Sequence, residues 1–438
     1  MPGCVDVDVA ELGDRAVVRA SIDPADRQGA LAPADGELLR IAAETALDQR
    51  LPLILSIASS GADIRAGVAA LHAWGRAAHV MTRCSGVVPM LFAVTGPAVS
   101  GPALLLGLAD QVVFADDAYA FVSGPTMIRD FTGVTLTNRE VGGVAAHDRS
   151  SGVASLTAPT EGAVMESVAD ILSFLPAHSD ELPPRAHSDD PPDRPTPEVA
   201  SIIPDVATGS YDVRSILSHL VDDDDLLELR AAWAPNLVTA LARLDGRPVG
   251  IVANQPTQIA GTLDIPASQK GARFVAFCDA FNLPLITVID TPGFYPGKDL
   301  EWRGMIRHGA QLAFAYARAT VPRISLTLRK SYGGAYIVMD SRHMGNDLAL
   351  AWPGAEIAVM GAKGAIEILH RNASADERAR LEADYEQRLL NPYAAAERGS
   401  IDDVIDPTQT RAKLTAALDT LAGKQESLSH RSHDNSPL

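Results

Sequence analysis

LRKSYGGAYIVMDS, from Leu328 to Ser341, follows a short apolar run, Ile324 to Leu328, of β-branched and leucine residues around one serine. That run predicts a buried strand. Ser331, Tyr332, Gly333, Gly334 and Ala335 come next, and the pattern beyond them turns helical. A strand, a double glycine and a helix start leave backbone N–H groups aimed at one place. The helix dipole adds positive potential there. Such a place suits a negative oxygen: a phosphate, a carboxylate or an enolate. A tight turn that needs glycine only for its dihedral angles accounts for the same spacing.

A half-copy lies earlier in the chain. Pro89 to Ala103 reads PMLFAVTGPAVSGPA and Pro322 to Tyr336 reads PRISLTLRKSYGGAY. Pro322 minus Pro89 and Gly334 minus Gly101 are both 233. Leu283 minus Leu51 is 232, and Gly361 minus Gly124 and Asp347 minus Asp110 are both 237. Each half then carries a strand, a small-residue turn and an apolar helix, so the plainest account is a duplicated α/β unit. Doubled units often build a site between them.

Composition sets the bounds. The 438 residues exceed one domain and supply ample core. Hydrophobic content of 47% and charged content of 21% are those of a globular protein. A net charge of −18 argues against a nucleic-acid binder, whose phosphate contacts need a basic face. It leaves room for an anionic small ligand, because local backbone dipoles override the overall field. Cys4, Cys84 and Cys278 are isolated and odd in number, which fits a reducing cytoplasm without disulfides or a thiolate metal site. No metal site is expected. The N-terminus is acidic and lacks an apolar signal segment. Cys84 to Ala109 is uncharged and long enough to span a bilayer. Pro89, Gly96, Pro97, Gly101 and Pro102 break it into a buried strand, a turn and a core helix, so no membrane association is expected.

In order, strands are predicted over Ala16 to Ile22, Leu51 to Ile57, Val88 to Val94, Ala109 to Ala115 and Tyr119 to Val122. The helix from Gly67 to Val80 is expected to bury Val68, Leu71, Trp74 and Ala78. LPAHSDELPPRAHSDDPPDRPTPE is dense in proline and acid and has no hydrophobic period. It reads as a domain boundary or, since proline stiffens chains, as a long ordered loop. Domains are therefore expected at 1–178 and 206–438, joined by a linker over 179–205. In the second, Asp222 to Asp225 reads as a solvated acidic run. The helix Ser268 to Phe281 is expected to turn Ala272, Val275, Ala276 and Ala280 inward, and the strand Leu283 to Asp290 ends in Thr291-Pro292-Gly293-Phe294.

From about Gln28 onward the chain resembles the carboxyltransferase β subunits of biotin-dependent acyl-CoA carboxylases, of the propionyl-CoA and acetyl-CoA type. The pieces that carry the likeness include RFVAFCDAFNLP, DTPGFYPG, LRKSYGGAYIVM, LAWPGAEIAVMGAKGA, LLNPYAAAERG, the tail KQESLSHRSHDNSPL and, more thinly, SGVVPMLFAVTGPAVSG. The resemblance implies a crotonase-like (ClpP/crotonase) ββα superhelix fold, two copies per chain, in a cytoplasmic enzyme. It implies transfer of CO2 from N-carboxybiotin, held on a separate biotin carboxylase/biotin carboxyl carrier subunit, to the α-carbon of acetyl-CoA or propionyl-CoA. The products would be malonyl-CoA or methylmalonyl-CoA. The coenzyme A thioester would bind mainly on the first half, and biotin along the second half of a neighbouring copy, in a hexamer of two stacked trimers.

Such chemistry needs backbone donors more than side chains. Loss of an α-proton leaves a thioester enolate, and loss of CO2 from carboxybiotin leaves charge on the ureido oxygen. Each oxygen needs an oxyanion hole. By resemblance, the amides of Gly334 and Ala335 serve the biotin oxygen and those of Ser100 and Gly101 the thioester oxygen. The same resemblance implies that Ser60, Gly61, Ala62, Gly293, Phe294, Gly333, Tyr336 and Ile337 bind substrate. Ile337, at a position sometimes acidic in the family, lines either the acyl pocket or the core. The departures fall on the acyl-CoA side. Ser100 replaces a family glycine, Pro102 follows it without an N–H, and the family's SGGAR becomes Ser59-Ser60-Gly61-Ala62-Asp63. The family's N-terminal segment is reduced to a short stub. Two further readings remain open: a biotin-dependent decarboxylase or transcarboxylase subunit, and a non-catalytic paralogue.

Overall fold

The computed structural model describes residues 3–206, 208–430 and 435–437. Of the tail quoted above, residues 431–434 and 438 lie outside the described residues. The chain forms two compact units. One comprises Met1–Pro184, Leu229–Trp233 and Ala280–Asn282, and the other Arg185–Glu228, Ala234–Asp279 and Leu283–Leu438.

The first unit holds a sheet of β1 (Val5–Leu12), β2 (Arg15–Ile22), β3 (Leu53–Ser59), β4 (Met90–Val99), β5 (Gln111–Ala115), β6 (Tyr119–Phe121) and β7 (Leu156–Ala158). β1 and β2 form an antiparallel hairpin. β2 to β5 and β7 then run parallel in that order, with β6 paired to the far end of β4. Near-continuous runs of Val, Ile, Leu and Phe fit strands covered on both faces.

The second unit repeats the plan with β8 (Leu226–Leu229), β9 (Leu237–Leu244), β10 (Arg247–Asn254), β11 (Leu285–Thr291), β12 (Arg323–Tyr332), β13 (Leu348–Ala351), β14 (Glu356–Ala358) and β15 (Asp403–Val404). β9 and β10 are the hairpin, closed by Asp245 and Gly246 at φ 53° and 71°. Asp-Gly is the pair that such a two-residue turn favours. β10, β11, β12 and β13 run parallel, and β14 pairs with the far end of β12.

The duplication is close to residue-for-residue. β1 and β9, β2 and β10, and β3 and β11 begin 232 apart (237 minus 5, 247 minus 15, 285 minus 53). β4 and β12 begin and end 233 apart (323 minus 90, 332 minus 99), and β5/β13 and β6/β14 begin 237 apart (348 minus 111, 356 minus 119). Arg27, Gln28 and Gly29 repeat as Ile259, Ala260 and Gly261, all at positive φ. A β-carbon on Gly29 would lie 2.1 Å from the Ala58 carbonyl oxygen, and one on Gly261 would lie 2.5 Å from that of Asp290. Glycine is required there because the chain passes so close to the end of the third strand.

Several expectations need correction. GPAV is not a turn: β4 continues through Gly96 and Pro97 to Val99, and the break comes only at Ser100. The helix Val68–Cys84 buries Ala70, Ala73, Ala77, Val80, Met81 and Cys84 instead of Val68 and Leu71. Val68 and Leu71 are 64% and 51% exposed. The reason is close packing on the helix Pro33–Gln49, where a β-carbon on Gly36 would come within 2.5 Å of the Ala73 β-carbon, so only small residues fit at that crossing. The helix Ile265–Ala280 likewise buries Phe274, Val275, Phe277 and Cys278 while Ala276 is exposed. Asp222 is buried rather than solvated. Its carboxylate accepts the Asp245 and Gly246 amides at 2.9 and 2.7 Å and the Arg411 guanidinium at 2.6 Å. Burial pushes that carboxyl up, but these donors outweigh it and hold it below the usual range. The proline-rich stretch is also tied down: Thr196 donates its amide to the Thr408 carbonyl at 2.9 Å, and the buried Arg411 donates to the Pro191 carbonyl at 3.0 Å.

Candidate functional site

Each unit carries one cradle, formed where its third strand ends in a loop and its fourth strand ends in a helix. In the first, β3 ends at Ser59, whose hydroxyl donates to the Gly29 carbonyl at 2.6 Å and accepts the Gly61 amide at 3.2 Å. Gly61 sits at φ 112°, and a β-carbon on it would lie 3.3 Å from the Val99 carbonyl oxygen and 3.7 Å from the Ser100 β-carbon. The loop Ser60-Gly61-Ala62 is thereby packed beside the start of the helix Gly101–Leu105. In the second, Thr291 Oγ1 accepts the Gly293 amide at 3.3 Å, with Gly293 at φ 139°. Phe294 lies over the helix Gly333–Val338, its ring 3.3 Å from where a Gly334 β-carbon would stand. The two cradles superpose by sequence offset, Gly61 on Gly293 (293 minus 61 is 232) and Ser100 on Gly333 (333 minus 100 is 233).

The donor sets differ. In the second cradle Gly333 takes φ 59°, and Gly334 and Ala335 follow in the first helical turn, where amides have no intrahelical acceptor. In the first cradle Ser100 takes φ 62° and ψ −118°, a conformation costly for a residue with a β-carbon. Its amide already donates to the Phe121 carbonyl at 2.9 Å. Gly101 matches Gly334, and Pro102 matches Ala335 without an N–H (335 minus 102 is 233). The first cradle thus offers the Gly101 amide alone where the second offers two. The Trp74 ring closes over Gly101, 2.9 Å from where a β-carbon would stand.

Asp63 stands beside this first cradle. Arg65 grips it with two hydrogen bonds of 2.9 Å, and that guanidinium holds the carboxyl below its usual range. The Asp63 carboxylate is therefore neutralised by a neighbour two residues on, whose side chain is largely exposed.

Two cavities flank the helix Gly333–Val338. One of about 560 Å³ is lined by Gly333, Tyr336, Ile337, Tyr385, Leu389 and Arg398. The other, of about 360 Å³, is lined by Phe294, Met305, Ile306, Gly309, Gly334 and Ile337. Gly334 and Ile337 stand on the ridge between them. Ile337 is 48% exposed, so it is not a core residue. Tyr332 directs its hydroxyl to the Glu356 carboxylate beside the larger cavity. The second unit therefore gathers Gly293, Phe294, Gly333, Gly334, Ala335, Tyr336 and Ile337, and the first gathers Ser60, Gly61, Ala62, Ser100 and Gly101. Tyr385 and Arg398 escaped notice in the sequence because the helix Ala375–Leu389 that bears Tyr385 buries no residue and gives no apolar signal.

Among the described residues, no cluster of His, Cys, Asp or Glu is placed to hold a metal ion, and no helix is long and apolar enough to cross a membrane.

Residues 11–436 match the carboxyl transferase domain family. The chain is 42% identical over 430 residues to the propionyl-CoA carboxylase beta chain of Saccharopolyspora erythraea, covering 94% of this chain and 79% of that one. It is 41% identical over 400 residues to the methylmalonyl-CoA carboxyltransferase 12S subunit of Propionibacterium freudenreichii subsp. shermanii, covering 90% and 76%. A crystal structure of transcarboxylase 12S, described as a hexamer assembly with hydrolysed methylmalonyl-coenzyme A bound, aligns with a TM-score of 0.97 at 39% identity over 99% of this chain and 85% of that one.

Proposed function

The chain belongs to the carboxyl transferase family, and on that premise we propose that it is the carboxyltransferase subunit of a biotin-dependent acyl-CoA carboxylase. It moves a carboxyl group from N-carboxybiotin on a separate carrier subunit to the α-carbon of propionyl-CoA or acetyl-CoA. The observation that carries this reading is the second cradle: two first-turn amides at Gly334 and Ala335, set by a left-handed Gly333, on the ridge between two cavities. Charged side chains stand at the cavity walls, Arg398 in the larger and Glu301 in the smaller, and the cradle itself contributes charge stabilisation by fixed backbone donors.

Bound biotin supplies the transferable carboxyl group and, once freed of it, a nitrogen able to take the α-proton. The Gly334 and Ala335 amides hold the ureido oxygen, and Phe294 and Tyr336 flank it. The thioester oxygen lies on the first cradle, where Gly101 donates and Ser60, Gly61 and Ala62 shape the approach. Ile337 borders the acyl group. Each cradle of one copy is completed by the other cradle of a neighbour, in a hexamer of two stacked trimers. A cytoplasmic location is supported by three cysteines, all buried and free. A transcarboxylase role is favoured as the second reading by the 12S likeness, and copurifying subunits separate the two.

The test is turnover of purified protein with N-carboxybiotin and acetyl-, propionyl- or butyryl-CoA, with the carboxylated thioester identified by mass. Carboxylation of the two shorter thioesters supports the reading. Absence of both carboxybiotin consumption and carboxylated thioester points instead to the non-catalytic paralogue.

A further inference from the structure

Asp290 is the last-but-one residue of β11 and is 2% exposed. Its Oδ1 accepts the Lys330 amide at 3.1 Å, and its Oδ2 accepts the Tyr211 hydroxyl at 2.7 Å and the Arg329 Nε at 3.1 Å. Arg329 also donates to the Gly209 carbonyl at 2.8 Å. All of this sits at the register shift between β11 and β12, two residues before Tyr332 gives way to Gly333. At such a shift the ladder is broken and an amide of β12 loses its acceptor. The carboxylate takes that amide.

The first unit provides an internal control. It has the same shift, between Ile57 and Ser59 on β3. There Ala58 stands for Asp290 (290 minus 58 is 232), Gly96 for Arg329 and Pro97 for Lys330 (329 minus 96 and 330 minus 97 are both 233). Proline has no N–H, so no acceptor is needed. The fold thus solves the shift without any charge. Burying an ion pair gains little stability over an uncharged alternative. The charged version occurs only under the cradle with two free donors, and preorganised donors are what developing negative charge requires.

We propose that Asp290 is a positioning residue: by pinning Lys330, Arg329 and Tyr211 at the register shift, it fixes where β12 ends and hence where the Gly334 and Ala335 amides point. This deepens the reading of those amides as the oxyanion donors and rests on it. Burial and the adjacent carboxylate push the Tyr211 hydroxyl well above its ordinary pKa, so it stays a donor at every working pH.

The experiment compares Asp290→Asn, Tyr211→Phe and the triple variant Asp290→Ala, Arg329→Gly, Lys330→Pro, which installs the first unit's solution. For each full-length protein, CO2 release from free N-carboxybiotin, propionyl-CoA affinity and melting temperature are measured. The proposal predicts that kcat for CO2 release falls about tenfold or more in Asp290→Asn and in the triple variant, and about threefold in Tyr211→Phe. KM for carboxybiotin and propionyl-CoA affinity stay within about twofold. A purely structural role lowers the melting temperature and leaves kcat of the folded fraction at the parent value in every variant, Tyr211→Phe included, and that result overturns the proposal. Tyr211→Phe, which removes one hydroxyl, decides the matter if the others do not fold. Ala335→Pro run alongside separates the two levels: if it too leaves CO2 release unchanged, the donor reading fails as a whole.

Discussion

Replacing Pro102 by alanine should make the protein faster. Pro102 is buried at the second position of the helix Gly101–Leu105 and occupies the place of Ala335 in the other cradle. It removes one N–H from a site whose other candidate, the Ser100 amide, is already given to the Phe121 carbonyl at 2.9 Å. A well-aligned oxyanion donor is worth roughly 10²–10³ in kcat. The restored amide competes with existing packing under Trp74, so a gain of about tenfold, or ~1.4 kcal/mol, is the conservative expectation. The cost lies in the unfolded chain, where losing proline adds entropy and lowers stability by about 0.4–1 kcal/mol. Activity and stability should therefore move in opposite directions. The assay is steady-state carboxylation of propionyl-CoA by the assembled enzyme, with CO2 release from N-carboxybiotin alone as the control. The variant should raise the first and leave the second unchanged. Unchanged or slower carboxylation, in a variant that assembles and melts within a few degrees of the parent, would refute the one-donor account of the first cradle.

Ala335→Pro should lower CO2 release from carboxybiotin by about a hundredfold, with assembly intact by sedimentation. Ile337→Asp should change the ratio of kcat/KM between acetyl- and propionyl-CoA by about 10-fold, within the 1–3 kcal/mol a pocket contact commands. Because Ile337 is half exposed, the melting temperature should hold. Arg411→Ala strands the buried Asp222 carboxylate and should cost about 3–5 kcal/mol in denaturant unfolding. In the parent, the depressed Asp222 contributes stability that is fully present above the ordinary carboxylate pKa of about 4 and is lost as pH falls through its lower folded value. Acid unfolding of Asp222→Asn should therefore depend less on pH below about 4 than that of the parent. Finally, sedimentation at working concentration should find an oligomer well above the 46.2 kDa of one chain.

The duplication was legible because both halves preserve chain spacing: offsets of 232, 233 and 237 in letters reappear as strand offsets. The second cradle was legible for a different reason, since YGGAY carries its own backbone requirement at Gly333. Helix faces were not. Trp74 and Leu71 have the spacing of a buried stripe, yet the close crossing of Gly36 and Ala73 turns the alanine face of the helix inward instead. Hydrophobicity reports what prefers burial, whereas close packing determines what fits. The Asp222 environment was hidden because its partners, Gly246 and Arg411, lie 24 and 189 residues away. The hydrogen bond from the Ser100 amide to the Phe121 carbonyl was not legible, because β4 runs five residues beyond its hydrophobic core, far enough to pair with β6.

The account stands on carboxyl transfer between carrier-bound biotin and an acyl thioester. It is tested most directly by loading the biotinylated carrier with radiolabelled carboxyl group, adding purified protein and propionyl-CoA, and following the label. The account predicts label in methylmalonyl-CoA with the parent, more rapid labelling with Pro102→Ala, and about a hundredfold less with Ala335→Pro. Label that stays on the carrier or escapes as CO2 while the thioester remains unlabelled, with all three proteins folded and assembled, would contradict it.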